Sequence, residues 1–155
     1  MTIITDARGN KLLEFTPTHE ENIYEIAHDA PLTHSLVVVR HHDKYLMAYS
    51  TQRREWEIFG GRMNEDESPR TAVVNALQKS VGIEYWEPQF LGVMKLQLKP
   101  EDRIEYGALF GVPLDILQPI QLYDDDIVGV MLWDKQTDIG QMNVIDAQYL
   151  EYFAP

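Results

Sequence analysis

Apolar and polar positions alternate in short blocks along most of this chain, and one stretch in the middle has helical spacing with both ends marked. Residues 2–15, TIITDARGNKLLEF, are two apolar runs around Asp6-Ala7-Arg8-Gly9-Asn10, which predicts a hairpin. Residues 16–33 are polar and interrupted by Pro17 and Pro31, with a short helix expected at EENIYEIAH. HSLVVVR and KYLMAYS, separated by His41-His42-Asp43, predict two strands joined by a tight turn, and EWEIFGG predicts one strand ending on Gly60 and Gly61. The helix follows a loop. Ser68 suits the N-cap, Pro69 the first helical position and Gly82 the C-terminal cap, while Val73, Leu77 and Val81 form a stripe at a spacing of four. PQFLGVMKLQL and RIEYGALFGVPL predict strands paired across KPED, DIVGVMLW predicts another, and DAQYLEYFA predicts a terminal helix opened by Asp146. Many strands with two well-defined helices imply a layered α+β (or α/β) domain with a mixed sheet.

Length and composition narrow this picture. At 155 residues the chain is long enough for one domain (1–155) with a substantial core, and no repeat or linker divides it. No apolar run reaches the ~18 residues that cross a bilayer, so no membrane association is expected. MTIITDARGN lacks a basic segment followed by an apolar one, and there is no cysteine. Both features fit a cytoplasmic protein, with no thiolate metal site or thiol nucleophile. Thirteen Lys plus Arg against 25 Asp plus Glu give a net charge of −12, which repels a phosphate backbone and disfavours general nucleic-acid binding. A small phosphorylated molecule held by a local basic pocket remains compatible. The acidic runs read equally well as solvated surface.

The candidate chemistry lies between residues 61 and 83. Gly61, Glu67, Leu77, Gly82 and Ile83 follow the strand WEIFGG and bracket the capped helix, and their spacing resembles the signature of the Nudix (MutT-like) hydrolases, G-x5-E-x7-R-E-U-x-E-E-x-G-U. The likeness covers about residues 34–153, with 1–33 as an N-terminal hairpin and loop and 61–83 as the box. It implies a Nudix-like fold, a mixed sheet sandwiched between helices, and an activity on phosphoanhydrides of the nucleoside-diphosphate class with Mg²⁺ or Mn²⁺. The departures are as informative. Phe59 stands where proline is common, Asn75 and Ala76 replace the signature arginine and glutamate, and Lys79 and Ser80 replace the next two glutamates. The resemblance implies that positions 76, 79 and 80 carry the metal-binding carboxylates. Magnesium asks for oxygen ligands in near-octahedral geometry at ~2.0–2.1 Å. A methyl, an ammonium and a hydroxyl do not provide them.

Three readings therefore stay open. The first is a catalytically impaired member that binds a nucleotide-like or other phosphorylated ligand, with Lys79 as a point charge in place of metal. In the second, an active pyrophosphohydrolase uses relocated acids, Glu67 and Glu105, with Glu67 the candidate metal ligand and Glu65, Asp66, Glu101, Asp102 and Asp124-Asp125-Asp126 as further acids. The third is a structural or interaction module. Arg53, Arg54 and Arg62, with Gly60 and Gly61, are candidates to grip phosphates. Trp56, Tyr85, Trp86 and Tyr106 could stack on a base or simply pack the fold. His34, His41 and His42 show no metal-ligand spacing. A homodimer is expected from the resemblance under each reading.

Overall fold

The computed structural model describes residues 1–155. Nine strands form one mixed sheet: β1 (Ile4–Thr5), β2 (Lys11–Pro17), β3 (Leu32–His41), β4 (Lys44–Ser50), β5 (Glu55–Glu57), β6 (Phe59–Arg62), β7 (Gln89–Leu98), β8 (Arg103–Leu114) and β9 (Ile127–Trp133). A 3-10 turn at Glu20–Asn22 runs into α1 (Ile23–Ile26), and α2 (Pro69–Val81) and α3 (Val144–Leu150) complete the chain. The principal order is β1-β2-β7-β8-β3-β4-β5, with β6 also on β3 and β9 also on β4. Only β3 and β8 run parallel. The layered α+β arrangement with a mixed sheet expected from the pattern is thus the architecture observed, as is the sandwiching by helices that the resemblance implies.

Each face of the sheet carries its own core. On one, Val73, Leu77 and Val81 of α2 meet Val37, Val39, Phe59, Ala108 and Phe110. All three helix residues are essentially buried, each contributing roughly 1.5–3 kcal/mol by leaving water. On the other, Ile145, Tyr149 and Leu150 of α3 pack on Val38, Met47, Leu96 and Leu109. The caps of α2 are those the sequence implies. Ser68 Oγ accepts the Thr71 backbone N–H at 3.1 Å, and Gly82 takes a left-handed φ of 73° while its N–H reaches the carbonyls that end the helix.

Two elements differ from expectation. EWEIFGG is not one strand: β5 pairs with β4 (Ala48 opposite Glu57), whereas β6 pairs with β3 (Val37 opposite Phe59). The chain changes partner at Ile58, which leaves the ladder there. The terminal helix opens at Asn143, whose Oδ1 accepts the N–H groups of Ile145 and Asp146, both at 3.1 Å. Asp146 is therefore inside α3 rather than at its cap, and its Oδ2 accepts the N–H that Ile58 freed, at 3.0 Å. One local irregularity explains the other.

Candidate functional site

The glycine strand β6 is a ridge between two clefts. Gly60 is forced there by its surroundings: at φ 104° a Cβ would lie 2.3 Å from the Ser35 carbonyl oxygen and 2.9 Å from Leu36 Cα. Close contact of this kind lets β6 lie flat on β3, so that α2 can approach from one side and α3 from the other.

On the α2 side is a groove of about 330 Å³ lined by Ser35, Gly60, Gly61, Arg62, Asn64, Glu67, Ala72, Asn75, Ala76 and Lys79. It unites Gly60, Gly61, Arg62, Glu67 and Lys79 from among the expected site residues. Glu67 is its one carboxylate, and both oxygens are engaged: Oε1 accepts the Asn64 backbone N–H at 3.0 Å and Oε2 accepts Asn75 Nδ2 at 3.3 Å. Asn75 thus ties the loop acid to the helix. Arg62 and Lys79 supply two cations, and the side-chain amides of Asn64 and Asn75 supply neutral polar groups. Ser80 does not share this groove. One residue on from Lys79 it has turned ~100° around the helix, and it lines a separate small cleft with Arg53, Glu57, Asp124 and Asp126.

Glu105 on β8 does not line the groove that holds Glu67. It is almost fully buried, accepts the Thr33 hydroxyl at 2.6 Å, and pairs with Arg62 at 3.1 Å and Arg103 at 2.9 Å. Burial alone would push its carboxyl up. The hydrogen bonds from Thr33 and Arg103 and the charge of Arg62 outweigh that and hold it down at about 2. Glu105 is accordingly a strut beneath Arg62. His34 sits 3.9 Å from the same carboxylate, and burial lowers its pKa.

On the α3 side the larger cleft, about 360 Å³, shares Gly60, Gly61 and Arg62 with the groove. Its apolar wall is Leu36, Ile58, Leu96, Leu98, Ile145 and Tyr149, and its polar groups include Asn143, Asp146, Arg53 and Glu57. Arg53 clamps Glu57 with Nε and Nη2, the latter at 2.8 Å, so these two charges satisfy each other. Asp146 has only the Ile58 N–H. Burial, with Glu57 and Glu55 nearby, pushes its carboxyl up to about 8, so it is protonated at neutral pH. Arg54 is elsewhere, in a third cleft with Arg8 and Glu55. The aromatic candidates line neither cleft. Trp56 donates to the Ile139 carbonyl, Tyr106 donates to Asp29, Tyr85 packs on the α2-side core and Trp86 is exposed.

Asp146 and Tyr149 escaped the sequence reading as site residues. A signal was present: residues 145, 146, 149, 150 and 153 share one face at helical spacing, and a lone acid within that apolar stripe has to find a partner inside.

The usual metal chemistry of a carboxylate-lined helix can be tested on the donor set. Nowhere in the chain do three His, Cys, Asp or Glu side chains converge as a metal site requires. The groove offers one carboxylate, already accepting two hydrogen bonds, beside a lysine. These residues do not fit Mg²⁺ or Mn²⁺ in the manner the resemblance implies.

No protein-family sequence profile matches the chain, and no curated protein matches it by sequence. Solved structures do match its fold. A MutT NUDIX hydrolase from Burkholderia pseudomallei superposes with a TM-score of 0.68 at 12% identity, over 81% of this chain and all of the other. A mutant form of the Bacillus subtilis pyrophosphohydrolase BsRppH gives 0.68 at 18%, over 97% and 96%. The NUDIX domain of Shewanella oneidensis NrtR, in complex with ADP ribose, gives 0.66 at 17%, over 87% and 96%. At such identities the likeness is one of fold, and the fold is that of the Nudix hydrolases. No helix is long and apolar enough to cross a membrane.

Proposed function

We propose that this protein binds a phosphorylated small molecule of the nucleoside-diphosphate type, with the phosphates in the α2-side groove, and holds it without metal-assisted cleavage. One observation carries this reading: the groove pairs two cations, Arg62 and Lys79, with a single carboxylate already engaged by Asn64 and Asn75. Arg62, steadied from behind by Glu105, offers a planar fork for phosphate oxygens, and Lys79 offers a point charge. The complex of a similarly folded NUDIX domain with ADP ribose supports a ligand of this class.

Calorimetric titration with ADP-ribose, with and without Mg²⁺, tests the reading. Binding independent of Mg²⁺, weakened roughly tenfold or more by Arg62→Ala or Lys79→Ala, is the expected result, because a charge-assisted hydrogen bond contributes ~1.5–3 kcal/mol. Phosphate or nucleotide release that requires Mg²⁺ or Mn²⁺ and disappears in Glu67→Gln would replace it with the hydrolase reading.

A further inference from the structure

Strand β9 has one neighbour, β4, and its other edge is open. The alternation of the ladder fixes which groups lie on that edge. Ser50 of β4 spends its carbonyl on the Arg54 N–H at 2.8 Å, on the β5 side. Tyr49, Met47 and Tyr45 accordingly bond to the other side, where Gly129, Met131 and Trp133 stand opposite them. The N–H and C=O groups of Val130 and Leu132, between those positions, therefore point away from β4, and no other segment of the chain bonds them. Native sheets blunt such edges with charge, proline or short length. β1 has two residues, and three-residue β5 has its far side taken by the main chain of Gln141 and Asn143, each bonded to Trp56 at 3.0 Å. β9 is seven residues, IVGVMLW, with no charge and no proline, in a chain of net charge −12. Its bulge, at Val128, lies at the entry and leaves residues 129–133 regular. Both faces are apolar and half-covered: Val130 and Leu132 lie at the margin of the α2-side core, Met131 and Trp133 at the margin of the α3-side core. Val128 is 59% exposed.

We propose that the open edge of β9 is where a second copy of this chain pairs, antiparallel and strand to strand, about a twofold axis beside Met131. In that register Val130 of each copy stands opposite Leu132 of the other, and each exchanges its outward N–H and C=O. Gly129, whose Cβ position meets nothing within 4 Å, faces Trp133 of the other copy. Charge favours this partner and this direction. Two copies of net charge −12 repel over most of their surface, and an uncharged strand is where their backbones can meet. An antiparallel pair separates the acidic runs Asp124-Asp125-Asp126, which a parallel pair would stack, and sets each run toward Lys135 at the far end of the opposite strand. Asp134, the like charge at that end, has its carboxylate turned onto the N–H groups of its own Gln136 and Thr137, at 2.8 and 2.7 Å. The half-covered margins of both cores then meet across the axis. A strand pair is a small interface, so a micromolar, reversible dimer is expected rather than a permanent one. The homodimer that the resemblance implies thereby gains an interface, and no residue of the phosphate groove contributes to it.

Sedimentation velocity of the full-length protein between about 1 μM and 1 mM tests the pairing, with a reversible monomer–dimer equilibrium as the expected result. Val130→Pro removes an N–H that only the second copy uses. It should abolish association while the fold stands, since a free edge tolerates proline. Gly129→Glu builds into open space in the monomer and sets a charge inside the strand pair, so association should weaken roughly tenfold or more. Lys135→Glu should weaken it a few-fold, and adding Asp125→Lys to that variant should restore part of the loss. Urea unfolding of each variant at low concentration checks that the monomer is intact. If Val130→Pro does not fold, Gly129→Glu decides alone. A chain still monomeric at about 1 mM would overturn the pairing, whether its edge is left to water or takes an added extended peptide. So would a dimer as tight in Val130→Pro and Gly129→Glu as in the wild type, which would place the contact on another face.

Discussion

Glu105 and Asp146 are two carboxyls, one reached by Arg62 and one in the cleft that Arg62 borders, and they have been given opposite environments. Glu105 is met by a hydroxyl and two arginines and stays ionised with a pKa of about 2. Asp146 is met by one backbone N–H and is pushed up to about 8. By surface area Glu105 is buried and Asp146 half-buried, yet it is Asp146 whose carboxyl is pushed up, so exposure alone does not separate them. The number of donors does. A carboxylate saturated with donors is part of the frame and stays ionised, and a carboxyl left short of them keeps its proton.

The frame common to both acids is the place where the largest effect is expected. Gly60→Ala drives a Cβ into the Ser35 carbonyl at a φ that side chains rarely adopt, and should cost about 3–5 kcal/mol in denaturant unfolding while weakening both clefts. Gly61→Ala places its Cβ in open space and meets only the strain of its φ of 159°, an expected cost of ~1–2 kcal/mol, so equal damage from the two would refute the ridge geometry.

Next come the acids themselves. Glu105→Gln strips the charge that two arginines share and should destabilise by ~1–3 kcal/mol at pH 7, since both arginines are half exposed and water compensates in part. Asp146→Asn keeps an acceptor for the Ile58 N–H and removes an acid that folding holds protonated. It should stabilise by ~1–2 kcal/mol at pH 8. A loss of stability in both variants would end the contrast.

Their pH dependences have opposite signs. The folded state keeps the Asp146 proton that the unfolded chain releases above about 3.8, so this residue makes stability fall as pH rises from there to about 8, then level off. Glu105 has a depressed folded pKa. Its contribution is complete above about 4.5 and is lost as pH falls toward about 2. Unfolding curves of wild type and Asp146→Asn should therefore converge near pH 4 and diverge toward pH 8. A constant offset between them would show that Asp146 titrates normally.

Much of the fold was legible because local rules and the tertiary structure agree. The Val73, Leu77 and Val81 stripe, the Ser68 cap and the Gly82 terminus define α2 in sequence as they do in space. The groove was legible in part. Gly60, Gly61, Arg62, Glu67 and Lys79 converge, since four lie on one strand–loop segment and the fifth lies on the helix that segment feeds. Arg53, Arg54 and Glu105 do not line the groove, because each is engaged elsewhere: Arg53 with Glu57, Arg54 at the third cleft, and Glu105 with Thr33 and Arg103 beneath Arg62.

The sequence by itself determined the layered architecture, the capped helix and the replacement of acids by Ala76, Lys79 and Ser80, for periodicity, capping and residue type are properties of neighbours along the chain. Only the tertiary structure decided that the strand before the glycines breaks at Ile58, that its freed N–H finds Asp146 from 88 residues away, and that Glu105 serves Arg62. Those outcomes depend on which strand lies beside which. Hydrogen-bond partners across a sheet are chosen by register and packing between distant segments, and no local pattern encodes them.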